Sequence, residues 1–231
     1  MVVKRIRILA KSVKKGQHCI AGREIINCNA TPVFGKWIRP VSQSGEGELS
    51  PSSCTLSNGQ TPGIWDVVDV PLLKHEGSAA QPENWLVDPD RNWCEVAVPG
   101  NLPAIIVDAP PNLWDQSGGR GDRISADALA VLNVGQSLYL VRVSNFRVEF
   151  GWRSGKRRRR ALFSYNGTQY DFSLTDPEIE RRYCPVFPKP DDGVKAIRLS
   201  GVDCPWLCVS LTPLFKGDHY KIVATVIESL P

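Results

Sequence analysis

Between Arg153 and Arg160 the chain carries six cations, Arg153, Lys156, Arg157, Arg158, Arg159 and Arg160, and no acid. Guanidinium groups fork onto phosphate oxygens, and the indole of the neighbouring Trp152 offers a base a face on which to stack. Tyr139 is a second candidate ring. The run therefore suits a nucleic acid, DNA or RNA. It also suits an acidic partner protein, or serves only as a solvated segment that keeps a strand edge from pairing. A second group, Trp37, Arg39, Glu83, Asn84 and Trp85, has the types that read a base edge or a carboxylate. The same types pair with one another to pin a loop onto a barrel. Stiff proline-flanked backbone (Pro40, Pro82) favours that structural use, although a concave pocket near Trp37 and Trp85 would suit a small or modified nucleotide.

Other chemistries lack their residues. No Lys has an acid two positions before it, as metal-dependent nucleases of the common restriction type require. There is no Gly-x-Ser-x-Gly elbow, phosphate loop or His-x-x-x-His pair. Gly118-Gly119-Arg120-Gly121 is too short for a dinucleotide loop. His18, Cys19 and Cys28 make no convincing ligand set, nor do Cys204 and Cys208, so no metal and no cofactor are expected. His219, at a strand start, is expected to cap a surface. The expectation is a protein without enzymatic activity. Seven cysteines without a framework spacing indicate reduced thiols and a cytoplasmic setting. No window approaches the ~20 apolar residues of a membrane span. The alternation Lys4, Ile6, Arg7, Ile8 reads as a strand rather than a secretory signal. Arg120-Gly121-Asp122 and the acceptor-like Asn166-Gly167-Thr168 need no further role.

The elements that position the basic run follow from a turn. Tyr165-Asn166-Gly167-Thr168 has the Asn-Gly pair that accepts the positive φ angles of a type I′ turn. Register then sets Tyr165 against Thr168, Phe163 against Tyr170, Ala161 against Phe172 and Arg159 against Leu174, on one aromatic, core-seeking face. Arg158, Arg160, Leu162 and Ser164 lie on the other face with Gln169, Asp171, Ser173 and Thr175.

Charge elsewhere is concentrated in the same way. Lys4, Arg5, Arg7, Lys11, Lys14 and Lys15 fill the first 15 positions, so two segments hold 12 of the 28 Lys and Arg; elsewhere 24 acids face 16 bases. Frequent Pro and Gly with little helical periodicity predict a mostly-β chain of short strands. Strands are expected at 2–9, 18–26 with a bulge at Gly22, 35–41 at an edge or end because of Pro40, 66–73, 93–98 closing a first barrel, 138–150, 195–199, 206–211 and 219–227. Gln81 to Trp85 reads as a helical turn with Pro82 at its first position. Ser125 caps a helix through Ala126, Leu129 and Leu132, ended by Asn133 and Gly135. Thr175 and Asp176 cap another, from Pro177 through Arg182.

Taken in order, Gly16-Gln17-His18-Cys19-Ile20-Ala21-Gly22, Gly35-Lys36-Trp37-Ile38-Arg39-Pro40-Val41-Ser42 and Gln81-Pro82-Glu83-Asn84-Trp85 resemble the dual OB-containing domain family. Tyr165-Asn166-Gly167, Asp171 and Thr175-Asp176-Pro177 extend the likeness. The resemblance implies two tandem OB-like small β-barrels with short helices. It also implies a bacterial setting, often beside anti-phage or mobile-element systems, and offers no catalytic residues to carry over. The expected division is a first barrel at 1–100, a connecting segment at 101–124 and a second barrel with the basic hairpin at 125–231.

Overall fold

A computed structural model describes the chain except residues 15, 29–30, 99, 106, 116–120, 133, 200–203 and 231, and the side chains of Lys14 and Cys28. Lys15, the helix-ending Asn133, Arg120 and most of the 118–121 glycine stretch thus lie outside the described residues, as do the side chains of Lys14 and Cys28. The protein is mostly β and divides into two compact units, 1–106 with 135–137, and 107–134 with 138–230.

The first unit is built from β1 (Val2–Lys14), β2 (Gln17–Cys28), β3 (Thr31–Val41), β4 (Val67–His75), β5 (Asn84–Val87) and β6 (Cys94–Val96). Their order, β1-β2-β3-β5-β4 with β4 returning to β1, closes a five-stranded barrel. β1 reaches both neighbours because it bends. Its register on β2 jumps between Ile8 and Ala10, which leaves Leu9 as the extra residue. The bulge is therefore on β1, opposite the Ala21–Gly22 step, rather than at Gly22 itself. Gly22 instead permits close approach of the two strands, since a methyl there would collide with the Arg7 carbonyl oxygen.

β3 is an interior strand, and of the edge or end that Pro40 allowed it takes the end: Pro40 is its last residue but one, beside Trp85 in the parallel pairing to β5. Two expectations change. Gln81 to Trp85 is a turn leading into β5, because residues 84–87 gain a ladder on both β3 and β4 that outweighs the helix-start signal of Pro82. β6 adds to β4 from outside and closes nothing. Ile6, Ile8, Ile20, Ile38, Val68, Val70, Leu72 and Trp93 fill the barrel.

The second unit contains β7 (Arg123–Ser125), α1 (Ala126–Leu132), β8 (Leu138–Arg142), β9 (Ser144–Arg153), β10 (Lys156–Tyr165), β11 (Thr168–Leu174), α2 (Pro177–Tyr183), β12 (Lys195–Ile197), β13 (Trp206–Leu211) and β14 (Asp218–Ile227). The long strand expected at 138–150 is two segments separated only by Val143. β8 pairs with β13 and β9 with β10, so together they do what the bent β1 does in the first unit. The path runs β9-β10-β11-β14-β13-β8, with β11–β14 parallel. Asp176 caps α2 by accepting from the N–H groups of Glu178 and Ile179, and its second oxygen accepts from Val226 N–H at 2.9 Å. Burial pushes its carboxyl up from the ordinary value. The segment expected to connect two halves is partly built into this unit. Leu113 is fully buried, and the Tyr165 hydroxyl donates to the Pro110 carbonyl at 2.7 Å. No helix among the described residues is long and apolar enough to cross a membrane.

Candidate nucleic-acid interface

The Asn166–Gly167 turn has φ of 47° and 80°, and its register places Phe163 opposite Tyr170 and Ala161 opposite Phe172. Those aromatics are buried; Phe163 stacks on Tyr170 and meets Phe172 edge-on. A second two-residue turn of the same kind joins β9 to β10: Ser154 and Gly155 have φ of 49° and 70°, and Arg153 pairs with Lys156. The basic run is thus itself a strand, and strand alternation divides it between two faces of the sheet.

On the core-facing side, Arg159 forms a two-pronged ion pair with Glu180 of α2. Arg157 is held over the Phe187 ring at 4.8 Å and the Trp152 ring at 5.7 Å. Trp152 is half-buried, and its Nε1 donates to the Pro188 carbonyl at 2.7 Å. It lies on the opposite side of the sheet from Arg158. Tyr139 stacks on Trp114 with centroids 4.6 Å apart.

The outer side carries Lys156, Arg158 and Arg160. Arg160 is 9% exposed. Its Nε donates to Asp171 at 2.6 Å and Nη1 to Ser173 at 3.0 Å, while Asp122 lies 3.4 Å away and the Asp171 carbonyl accepts from Nη2. A fully engaged guanidinium has no donors left for a phosphate. Among the described residues, Arg153, Lys156, Arg157 and Arg158 have no carboxylate partner. All four line an open groove of about 490 Å³ together with Arg123 and Tyr220, Arg157 with its guanidinium also held over the Phe187 and Trp152 rings. Arg123 lies 4.7 Å over the Tyr220 ring and is ion-paired with Asp122 and Asp218. Asp122, the acid lining the groove, pairs with Arg123 and Arg160, Asp171 pairs with Arg160, and Glu180 pairs with Arg159, which leaves four lining cations, Arg153, Lys156, Arg157 and Arg158, without a carboxylate partner among the described residues.

Sequence reasoning thus named the cations without sorting them and missed Arg123, Asp122 and Tyr220. The three missed residues come from β7 and its approach and from β14, far along the chain, and only the Arg123–Ser125 ladder on β14 brings them together.

The second group falls in the first unit. Arg39 and Glu83 are both buried and paired at 3.1 Å. Arg39 Nη2 donates to the Ser137 hydroxyl, which in turn donates to Glu83, and the Ser137 backbone N–H also reaches Glu83. They pin residues 135–137 onto the barrel. Asn84 Nδ2 donates to Gln81 at 3.1 Å. Trp37 is 2% exposed beneath the Arg23 guanidinium at 4.9 Å. Trp85 is half-buried, with Lys4 Nζ 4.5 Å over its ring.

The N-terminal cations are largely engaged: Lys4 with Glu24, Arg5 with Asp69, Lys11 with the Pro62 carbonyl, and Arg7 over Trp65 at 5.2 Å. His219 is buried rather than at the surface, with Nδ1 2.8 Å from the Thr212 carbonyl. No cluster of three metal-ligating side chains occurs among the described residues.

The model of the dual OB-containing domain family matches residues 4–226. No curated protein sequence and no solved structure matches the chain.

Proposed function

We propose, since this chain belongs to the dual OB-containing domain family, that it is a non-enzymatic cytoplasmic module binding nucleic acid through the outer face of β10. OB barrels bind oligonucleotides on the face of their second and third strands and on the adjoining loops. Counting bent β8–β9 as the first strand, β10 and β11 are the second and third. The observation that carries the reading is the surplus of Arg153, Lys156, Arg157 and Arg158, four cations without carboxylate partners among the described residues that line one groove. They neutralise phosphates, and Tyr220, already paired with a guanidinium, gives the groove an aromatic surface. Arg159 and Arg160 hold the strand in place by pairing with the protein's own carboxylates. An accessory place in a bacterial defence or mobile-element system, implied by the family likeness, is part of the same proposal.

The test is a full-length variant with Arg153→Ala, Lys156→Ala and Arg158→Ala. It keeps its thermal unfolding profile and loses binding to both labelled single-stranded and duplex oligonucleotides. If the wild type binds polyglutamate but no oligonucleotide, the cationic face is an adaptor surface for an acidic protein instead.

A further inference from the structure

On four strands of the first barrel the inward-facing row ends in a polar or amphipathic residue at one rim. On β1 the core positions Ile8 and Ile6 are continued by Lys4; on β2 Ile20 and Gly22 lead to Glu24; on β3 Ile38 is preceded by Lys36. On β5, Val87 is preceded by Trp85, which packs against the barrel core from the rim. These side chains surround a cavity of about 400 Å³, closed on one side by Gly135 and Gln136. Barrel mouths are common small-molecule sites, and sites for such ligands span roughly 300–1,000 Å³.

The chemistry of the walls is specific. The half-buried Trp85 indole is an aromatic wall with the Lys4 ammonium 4.5 Å over its ring. His75 stands edge-on to it at 5.1 Å, its ring fixed by a 2.6 Å contact between Nε2 and the Pro82 carbonyl. A methyl at Gly77 would collide with His75 and with that carbonyl, so the glycine allows the loop to hold the imidazole there. Lys4 and Glu24 are paired at 2.6 Å with side-chain exposures of only 16% and 19%. Such a desolvated pair is commonly replaceable by apolar residues without loss of stability. At a barrel mouth it supplies an adjacent donor and acceptor on the face of an indole. Lys36 is exposed at the rim and has no carboxylate partner among the described residues. The Arg39–Glu83–Ser137 cluster keeps the 135–137 wall in place behind the cavity.

We infer that the mouth of the first barrel is a separate binding site for a small molecule with a planar, hydrogen-bonding ring and an anionic group, the chemistry of a nucleoside monophosphate. The ring lies against Trp85 and His75, its polar edge meets Lys4 and Glu24, and the phosphate faces Lys36. This site does not depend on the nucleic-acid reading of the second unit.

Isothermal titration of the full chain with AMP, GMP, CMP and UMP tests it. At least one binds in the micromolar to sub-millimolar range. Lys36→Glu, a surface change that spares the fold, weakens it about tenfold, and His75→Ala weakens it further. The Arg153→Ala, Lys156→Ala, Arg158→Ala variant binds the same nucleotide as the wild type does. Absence of heat from all four nucleotides at millimolar concentration overturns the inference. So does binding indifferent to Lys36→Glu and His75→Ala, which would leave the Lys4–Glu24 pair as a strand pin only. Loss of nucleotide binding in the triple variant also overturns it, by moving the ligand to the cationic strand.

Discussion

Replacing Arg158 and Arg160 one at a time separates a phosphate contact from a structural one two residues away. Four surplus cations give a slope of log affinity against log salt of about −3 to −4, at 0.7–0.9 per neutralised phosphate. Arg158→Ala removes one contact and reduces the slope by about 0.7–0.9, with the melting temperature unchanged. Arg160→Ala breaks an ion pair that is nearly buried on the arginine side but not on the other: Asp171 is 55% exposed and regains water when freed. The cost therefore falls below the full penalty for breaking a buried pair, at about 2 kcal/mol. For a chain of this size that lowers the melting temperature by roughly 4–8 °C. The salt slope stays that of the wild type. Fluorescence anisotropy of a labelled oligonucleotide from low to physiological salt, with differential scanning fluorimetry on the same samples, reads both quantities. If Arg160→Ala flattens the slope as much as Arg158→Ala and leaves the melting temperature alone, the sorting of the run by carboxylate partners is wrong.

Other consequences concern the rest of the fold. The Tyr170 hydroxyl donates to Asp115, which also accepts from the buried Lys221 at 2.8 Å, and burial with that hydrogen bond pushes its pKa up to about 12. Because the folded value lies above the ordinary 10, this contribution to stability is complete below pH 10 and is lost as pH rises through about 12. Tyr170→Phe should flatten that alkaline limb in unfolding measured against pH. The Cys54 thiol, fully buried and pushed up to about 11 by burial, stays unreactive to a disulfide reagent at mildly alkaline pH, while the exposed Cys94 and Cys204 are labelled. Mass spectrometry of labelled peptides identifies which thiols react, and early labelling of Cys54 would contradict its burial. Gly22→Ala forces β1 and β2 apart at the Arg7 carbonyl and destabilises by about 2 kcal/mol or more, read as a shifted denaturant midpoint.

The parts of this structure legible in the sequence are those fixed by neighbours along the chain. Asn166-Gly167 dictated a turn because two adjacent residues had to take positive φ, and the pairing of Phe163 with Tyr170 followed by counting. Asp176 and Pro177 marked a helix start for the same local reason. What was hidden depends on distant partners. β5 has four residues and forms because β3 and β4 lie on either side of it, which nothing in Gln-Pro-Glu-Asn-Trp announces. The basic run looked uniform because the carboxylates that divide it, Glu180 and Asp122, lie 21 and 38 positions away. Asp171 was placed correctly on the face of Arg160, yet whether the two would pair could not be read from alternation alone. Ser137 gave no sign that it would join Arg39 and Glu83, because it lies 98 positions from the first and 54 from the second.

That serine sets a condition on dissecting the protein. Residues 135–137 belong with the first barrel although the chain on both sides of them belongs with the second. A fragment cut near residue 106 would keep all six strands of the first barrel, yet leave Arg39 and Glu83 facing the gap where Ser137 should be. Such a piece would be expected to need the missing tripeptide supplied in trans or grafted onto its end, so domain boundaries drawn along the sequence are the wrong scissors for this molecule.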